Sequence, residues 1–155
     1  MLTIRPTTDA DFLATLNREV QEHHHAMYPE IFRPYVKEEI AKAIKKMIGG
    51  RDAQAYVAYE GDEPAGYAII FISRFNQNAF QHARSAMQVD QLAVLSKFRR
   101  KGVGKKLMEF LEELARKEKL SRIDLNHWEK NEEAREFFGS NGFQYYNSRM
   151  YKDVK

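Results

Sequence analysis

Apolar positions along the chain fall into runs whose spacing changes from segment to segment. LTIR at 2 to 5 reads as a short strand ending at Pro6, and Thr8 with Asp11 three positions later has the form of a helix N-terminal cap. Leu13, Leu16 and Val20 then recur at helical spacing, which predicts a helix running to about His24. The next stretch, MYPEIFRPYV, holds two prolines and reads as a loop, because each lacks an N–H and constrains its neighbour. VKEEIAKAIKKMI is a second helix closed by Gly49 and Gly50. Two strands are expected at 54–60 and 64–73 around the turn-forming GDEP, and YAIIFI is β-rich enough to be a central strand. A further extended segment covers about Arg84 to Leu95.

From Gly102 to Glu118, Val103, Leu107, Leu111 and Leu114 mark one face of a helix, with Glu112–Arg116 and Glu113–Lys117 as outward pairs. Ile123 and Leu125 flank Asp124 in the next strand, NEEAREFFGSNGF gives a short helix stopped before Gly142, and FQYYNSRMYKDV reads as terminal β structure. An α+β fold follows, a sheet with helices on both faces. At 155 residues the chain fits one domain spanning 1–155.

Composition narrows the chemistry. The chain has no cysteine, which excludes disulfides, thiolate metal sites and a cysteinyl intermediate. No run approaches the roughly 18 apolar residues of a membrane span, and the first residues lack the apolar stretch of a signal peptide, so a soluble cytoplasmic protein is expected. The net charge of +3 hides a division: Lys97, Arg99, Arg100, Lys101, Lys105 and Lys106 lie within ten residues that hold no acid, and the rest of the chain sums to −3. A local anion site fits this better than a nucleic-acid coat. His23, His24 and His25 cannot converge on one ion from adjacent helical positions, and no partner spacing suggests a metal.

The basic segment belongs to VDQLAVLSKFRRKGVGKKLM, in which a strand passes through a glycine-containing turn directly into the clearest helix. Free N–H groups and the positive dipole end at a helix start suit a diphosphate, and glycines let it approach the backbone. Neither common nucleotide loop is present, since GxxxxGK[ST] is absent and RRKGVG lacks the first glycine of GxGxxG.

Arg99, Gly102 and Gly104 match [Q/R]-x-x-G-x-[G/A], and Asn131, Ala134, Phe137, Gly142 and Phe143 match a second element further on. With these two motifs and its order of elements, the chain resembles the GNAT superfamily of acetyl-CoA-dependent N-acetyltransferases. The resemblance implies a mixed, mostly antiparallel central sheet. It implies that Leu92, Ala93 and Val94 bind the pantetheine arm, and that Arg99, Arg100, Lys101, Gly102, Val103, Gly104 and Lys105 hold the phosphates. Asn131 and Phe138 would also face the cofactor, and the N–H of Val94 or Ala93 would stabilise the oxyanion. Acetyl would pass directly to a primary amine, a small molecule or a protein N-terminus. Asp90 is the implied base for the ammonium, against the competing reading of a strand carboxylate facing solvent. Phe138 stands where the family usually has the tyrosine that protonates the leaving thiolate, which leaves Tyr145, Tyr146 or water. A homodimer is compatible with the resemblance. The alternative function is a non-catalytic CoA-binding or regulatory domain touching RNA through residues 97–106, with steep salt dependence.

Overall fold

A computed structural model describes residues 1–154. Along the chain it contains β1 (Leu2–Thr7), α1 (Ala10–Met27), α2 (Lys37–Ile48), β2 (Ala53–Glu60), β3 (Glu63–Phe75), β4 (Arg84–Val94), α3 (Val103–Lys117), β5 (Arg122–Leu125) and α4 (Glu132–Ser140). The strands lie in the order β1-β2-β3-β4-β5. The first three pairings are antiparallel and β4–β5 is parallel. This is the mostly antiparallel mixed α+β sheet expected from the sequence.

Local chemistry adjusts several boundaries. Asp9 rather than Thr8 caps α1, its Oδ1 accepting from the Phe12 N–H at 2.9 Å, while the Thr7 hydroxyl oxygen accepts from the Asp9 N–H at 3.1 Å. The helix runs one turn past His24, because residues through Met27 keep helical bonding before Tyr28 ends it. Pro6 lies inside β1 opposite Tyr56 instead of ending it; β1 is an edge strand, where a missing N–H on the outer side breaks no ladder bond.

The terminal β structure expected from FQYYNSRMYKDV does not form: residues 143–154 pair with no strand. Tyr145, Tyr146, Met150 and Tyr151 stay exposed, so the segment gains neither ladder bonds nor a buried face to offset the cost of ordering it.

Two cores sandwich the sheet. On one face Val103, Leu107, Met108 and Leu111 of α3 pack on Ala68, Ile70, Met87 and Val89. On the other, Leu13, Ala14 and Leu16 of α1 and Ile44 of α2 cover Val57, Tyr67, Ile69 and Ala93. A β-bulge divides β4 between these faces. Ile69 pairs with Gln91 and Ile70 with Val89, which leaves Asp90 as the extra residue. Met87 and Val89 therefore face α3, whereas Ala93, of the same parity, faces α1.

Candidate active site

β4 and β5 run together only from Ala86 to Val89, paired with Arg122 to Leu125. Beyond that point the chain after β5 turns away, and among the described residues no strand lies beside the edge of β4 from Asp90 to Val94. A cleft of about 850 Å³ opens there, walled by β4, the start of α3, α4 and the C-terminal part of α1. Unpaired backbone N–H and C=O groups along one strand edge suit an extended ligand carrying amides.

The cleft runs into the start of α3. Gly102 occupies the N-cap at φ +82°, and no side chain caps the helix, so its first N–H groups remain available to an anion. Arg100 also takes a positive φ, +61°, an unusual conformation for a residue with a Cβ. Gly104 packs closely, since a Cβ there would meet the Phe137 ring at 3.0 Å and the ring would have to shift by a few tenths of an ångström.

The basic segment proves divided. Lys97 pairs with Glu63, Lys106 with Glu109, and Arg99 with Glu133 at 3.5 Å, its Nε also donating to the Val94 carbonyl at 3.2 Å. Among the described residues Arg100, Lys101 and Lys105 make no ion pair; Arg100 and Lys105 line the cleft, whereas Lys101 lies outside its wall, over the Phe98 ring. Of the six bases, Arg99, Arg100 and Lys105 thus line the cleft beside the first amides of α3, and Lys97, Lys101 and Lys106 do not.

Leu92, Ala93, Val94, Gly102, Val103, Gly104, Asn131 and Phe138 all line the cleft. Asn131 is already engaged, its Oδ1 accepting from the Ala134 N–H at 3.1 Å as the cap of α4. Gly142, at φ +82°, and Phe143 close the other end of this helix. The Phe143 N–H donates to the Phe138 carbonyl, and the two rings lie 5.6 Å apart, the hydrophobic contact of a Schellman stop. Phe138 therefore packs between Phe137 and Phe143 while showing one edge to the cleft.

Asp90 reaches solvent through the cleft, and the chain crowding its bulge desolvates the carboxyl enough to raise its pKa. The two tyrosines are not brought to the cleft wall. Tyr145 stands behind His127, its hydroxyl 2.7 Å from Nε2, and Tyr146 lies under the Arg122 guanidinium. Both are exposed, because the C-terminal segment packs on no sheet.

Sequence reasoning missed the polar group beneath the cleft. The buried Asn17 donates to the Tyr67 hydroxyl at 2.9 Å, and that hydroxyl donates to Gln91 Oε1 at 2.8 Å. Burial holds the Tyr67 phenol well above its ordinary pKa, so it stays a neutral donor. A signal existed: Asn17 is four residues after Leu13, on the apolar face of α1. Glu19 was missed as well; its carboxylate accepts from the Ser96 N–H at 2.8 Å and ties α1 to the turn after β4. His23, His24, His127 and Trp128 also reach the cleft, whereas His25 turns to the Phe32 carbonyl at 2.6 Å. Among the described residues no group of three His, Asp or Glu is placed to hold a metal ion, and no helix is long and apolar enough to cross a membrane.

Comparison with known proteins agrees with this geometry. Residues 17–143 match the Acetyltransferase (GNAT) family. An uncharacterized N-acetyltransferase from the pepI 3' region of Lactobacillus delbrueckii subsp. lactis is 25% identical over 123 residues, 74% of this chain and 70% of that protein. A tetramutant of the BH1408 protein from Bacillus halodurans superposes with a TM-score of 0.89 at 22% identity, covering 98% of this chain and 99% of that one. An aminoglycoside N-acetyltransferase in complex with CoA superposes at 0.75 with 13% identity, covering 100% of this chain and 95% of that one. The chain belongs to the GNAT acetyltransferase family.

Proposed function

We propose that this protein transfers acetyl from acetyl-CoA to a primary amine. The observation that carries the reading is the open edge of β4 leading straight onto the uncapped start of α3. Leu92 to Val94 would hold the pantetheine arm by main-chain bonds. The amides of Val103, Gly104 and Lys105, with Arg100 and Arg99, would hold the pyrophosphate. Acetyl-CoA supplies the acetyl group as a thioester. In the transfer the amine nitrogen attacks the carbonyl carbon, the N–C bond forms, the C–S bond breaks, and the thiolate leaves to take up a proton.

Alkyl amines are mostly protonated at pH 7, so the acceptor must lose a proton before it can attack. Asp90, at the bulge of the strand that carries Val94 and in the lining of the same cleft, would hold the ammonium and take that proton through water. The N–H of Ala93 or Val94 would face the oxyanion. Phe138 carries no proton, so the thiolate is served by Tyr145 acting through His127 or by water; Tyr146 is set aside by its place under Arg122.

The test is thermal. Acetyl-CoA at about 100 times its Kd should stabilise the fold by about 2.7 kcal/mol, a rise of roughly 5–10 °C in Tm. Gly102→Glu puts a carboxylate at the anion site and a side chain at φ +82°, and should abolish the rise. Unchanged melting of the wild type at millimolar acetyl-CoA would reject the reading.

A further inference from the structure

We infer that the acceptor is a primary monoamine carried on a flat apolar or aromatic body, its ammonium at Asp90 and its body against Trp128 and His24. The inference rests on the acetyl-transfer reading and specifies its second substrate.

Charge differs between the two ends of the cleft. Three carboxylates line it: Asp90, Glu133 and Glu136. Glu133 and Glu136 belong to α4, beside the start of α3, and Glu133 already faces Arg99 at 3.5 Å. The end bounded by α1 thus offers one carboxylate. A polyamine or an aminoglycoside brings several ammonium groups, and each one left without an anion loses hydration with no return. One carboxylate matches one ammonium.

The wall near that carboxylate is built of rings. His24 stacks on Phe32 with centroids 4.7 Å apart, and Phe32 meets Trp128 edge-on at 4.8 Å. Tyr28 lies 5.1 Å from Trp128, with Lys130 Nζ 4.5 Å over its own ring. The four rings join α1 and the loop after it to the segment after β5, and so hold Trp128 at the cleft mouth although 38% of its surface remains exposed. An indole left partly open to solvent in a cleft wall favours contact with an apolar body or a cation. His24 adds no opposing charge, because burial and its neighbour His23 lower its pKa and keep the ring neutral at pH 7.

The experiment measures free CoA thiol released by the wild-type chain with phenylethylamine, tryptamine, spermidine, an aminoglycoside and glycine, alongside the acetyl-CoA melting shift. The expected result is a kcat/KM at least 10-fold higher for the two arylalkylamines than for any other arm. Trp128→Ala should raise their KM at least 10-fold and leave the acetyl-CoA melting shift in place. If that variant does not fold, Trp128→Phe, which keeps a ring, should retain most of the preference. A preference for spermidine, the aminoglycoside or glycine overturns the inference while sparing the acetyl-transfer reading. Thiol release with no amine in the panel, despite a normal melting shift, also overturns it. Loss of the melting shift itself removes the reading beneath it.

Discussion

Asp90→Asn is expected to lower kcat by about 100- to 1,000-fold, the usual contribution of a positioned base, while the melting shift with acetyl-CoA is retained. The base works when ionised, and desolvation has raised its pKa. Wild-type activity should therefore fall as pH drops through that raised value, at a higher pH than an ordinary carboxylate would give, and the Asn variant should lack this acid limb. Stability moves the other way. A carboxyl whose folded pKa exceeds its unfolded one binds protons more tightly in the native state, so the native state gains as pH falls through the raised value, and ionisation opposes folding at pH 7. The Asn variant should accordingly melt no lower than wild type at neutral pH. Thiol-release kinetics and a melting curve on one preparation check both statements, and a wild-type rate in the variant rejects Asp90 as the base.

Gly66→Ala should cost about 1–3 kcal/mol and weaken acetyl-CoA binding together. Gly66 pairs with Val94, and a Cβ there would come within 2.5 Å of the Ala93 carbonyl oxygen and 3.3 Å of the Val94 Cα. These are backbone atoms, which cannot turn aside as the end of a side chain would. The methyl group must push β3 and β4 apart at the residues whose free edge lines the cleft. Chemical denaturation and a titration with acetyl-CoA should show the two losses in one variant. A variant with native stability would mean that the strands separate freely there.

Long amphipathic patterns were legible. The spacing of Val103, Leu107 and Leu111 marked α3 and its buried face, and the alternation around Ile123 marked β5. The glycine turn into the start of α3 was legible because Gly102 takes a left-handed conformation there that sequence pattern favours for glycine. Three kinds of feature were not. The motif residues Asn131, Gly142 and Phe143 have a structural task in starting and stopping α4, which sequence matching cannot separate from cofactor contact. The terminal segment has strand composition, but composition does not supply a partner for its hydrogen bonds. The polar group of Asn17, Tyr67 and Gln91 draws on three elements, so no local window contains it.

The bulge in β4 makes chain length a functional coordinate of this site. Because one extra residue separates Val89 from Gln91, the strand presents Val89 to α3 and then Ala93 to α1, with Leu92 returned to the α3 side. Substitution at 90 changes a side chain and leaves this arrangement standing. Loss of the residue would close the bulge: Val89 opposite Ile70 and Gln91 opposite Ile69 would become neighbours in a regular ladder, so Leu92 and Ala93 would keep their faces while the carboxylate and the local kink were lost. The bulge is thus the point in β4 where the chain can shorten by one residue with the two faces of the sheet unchanged.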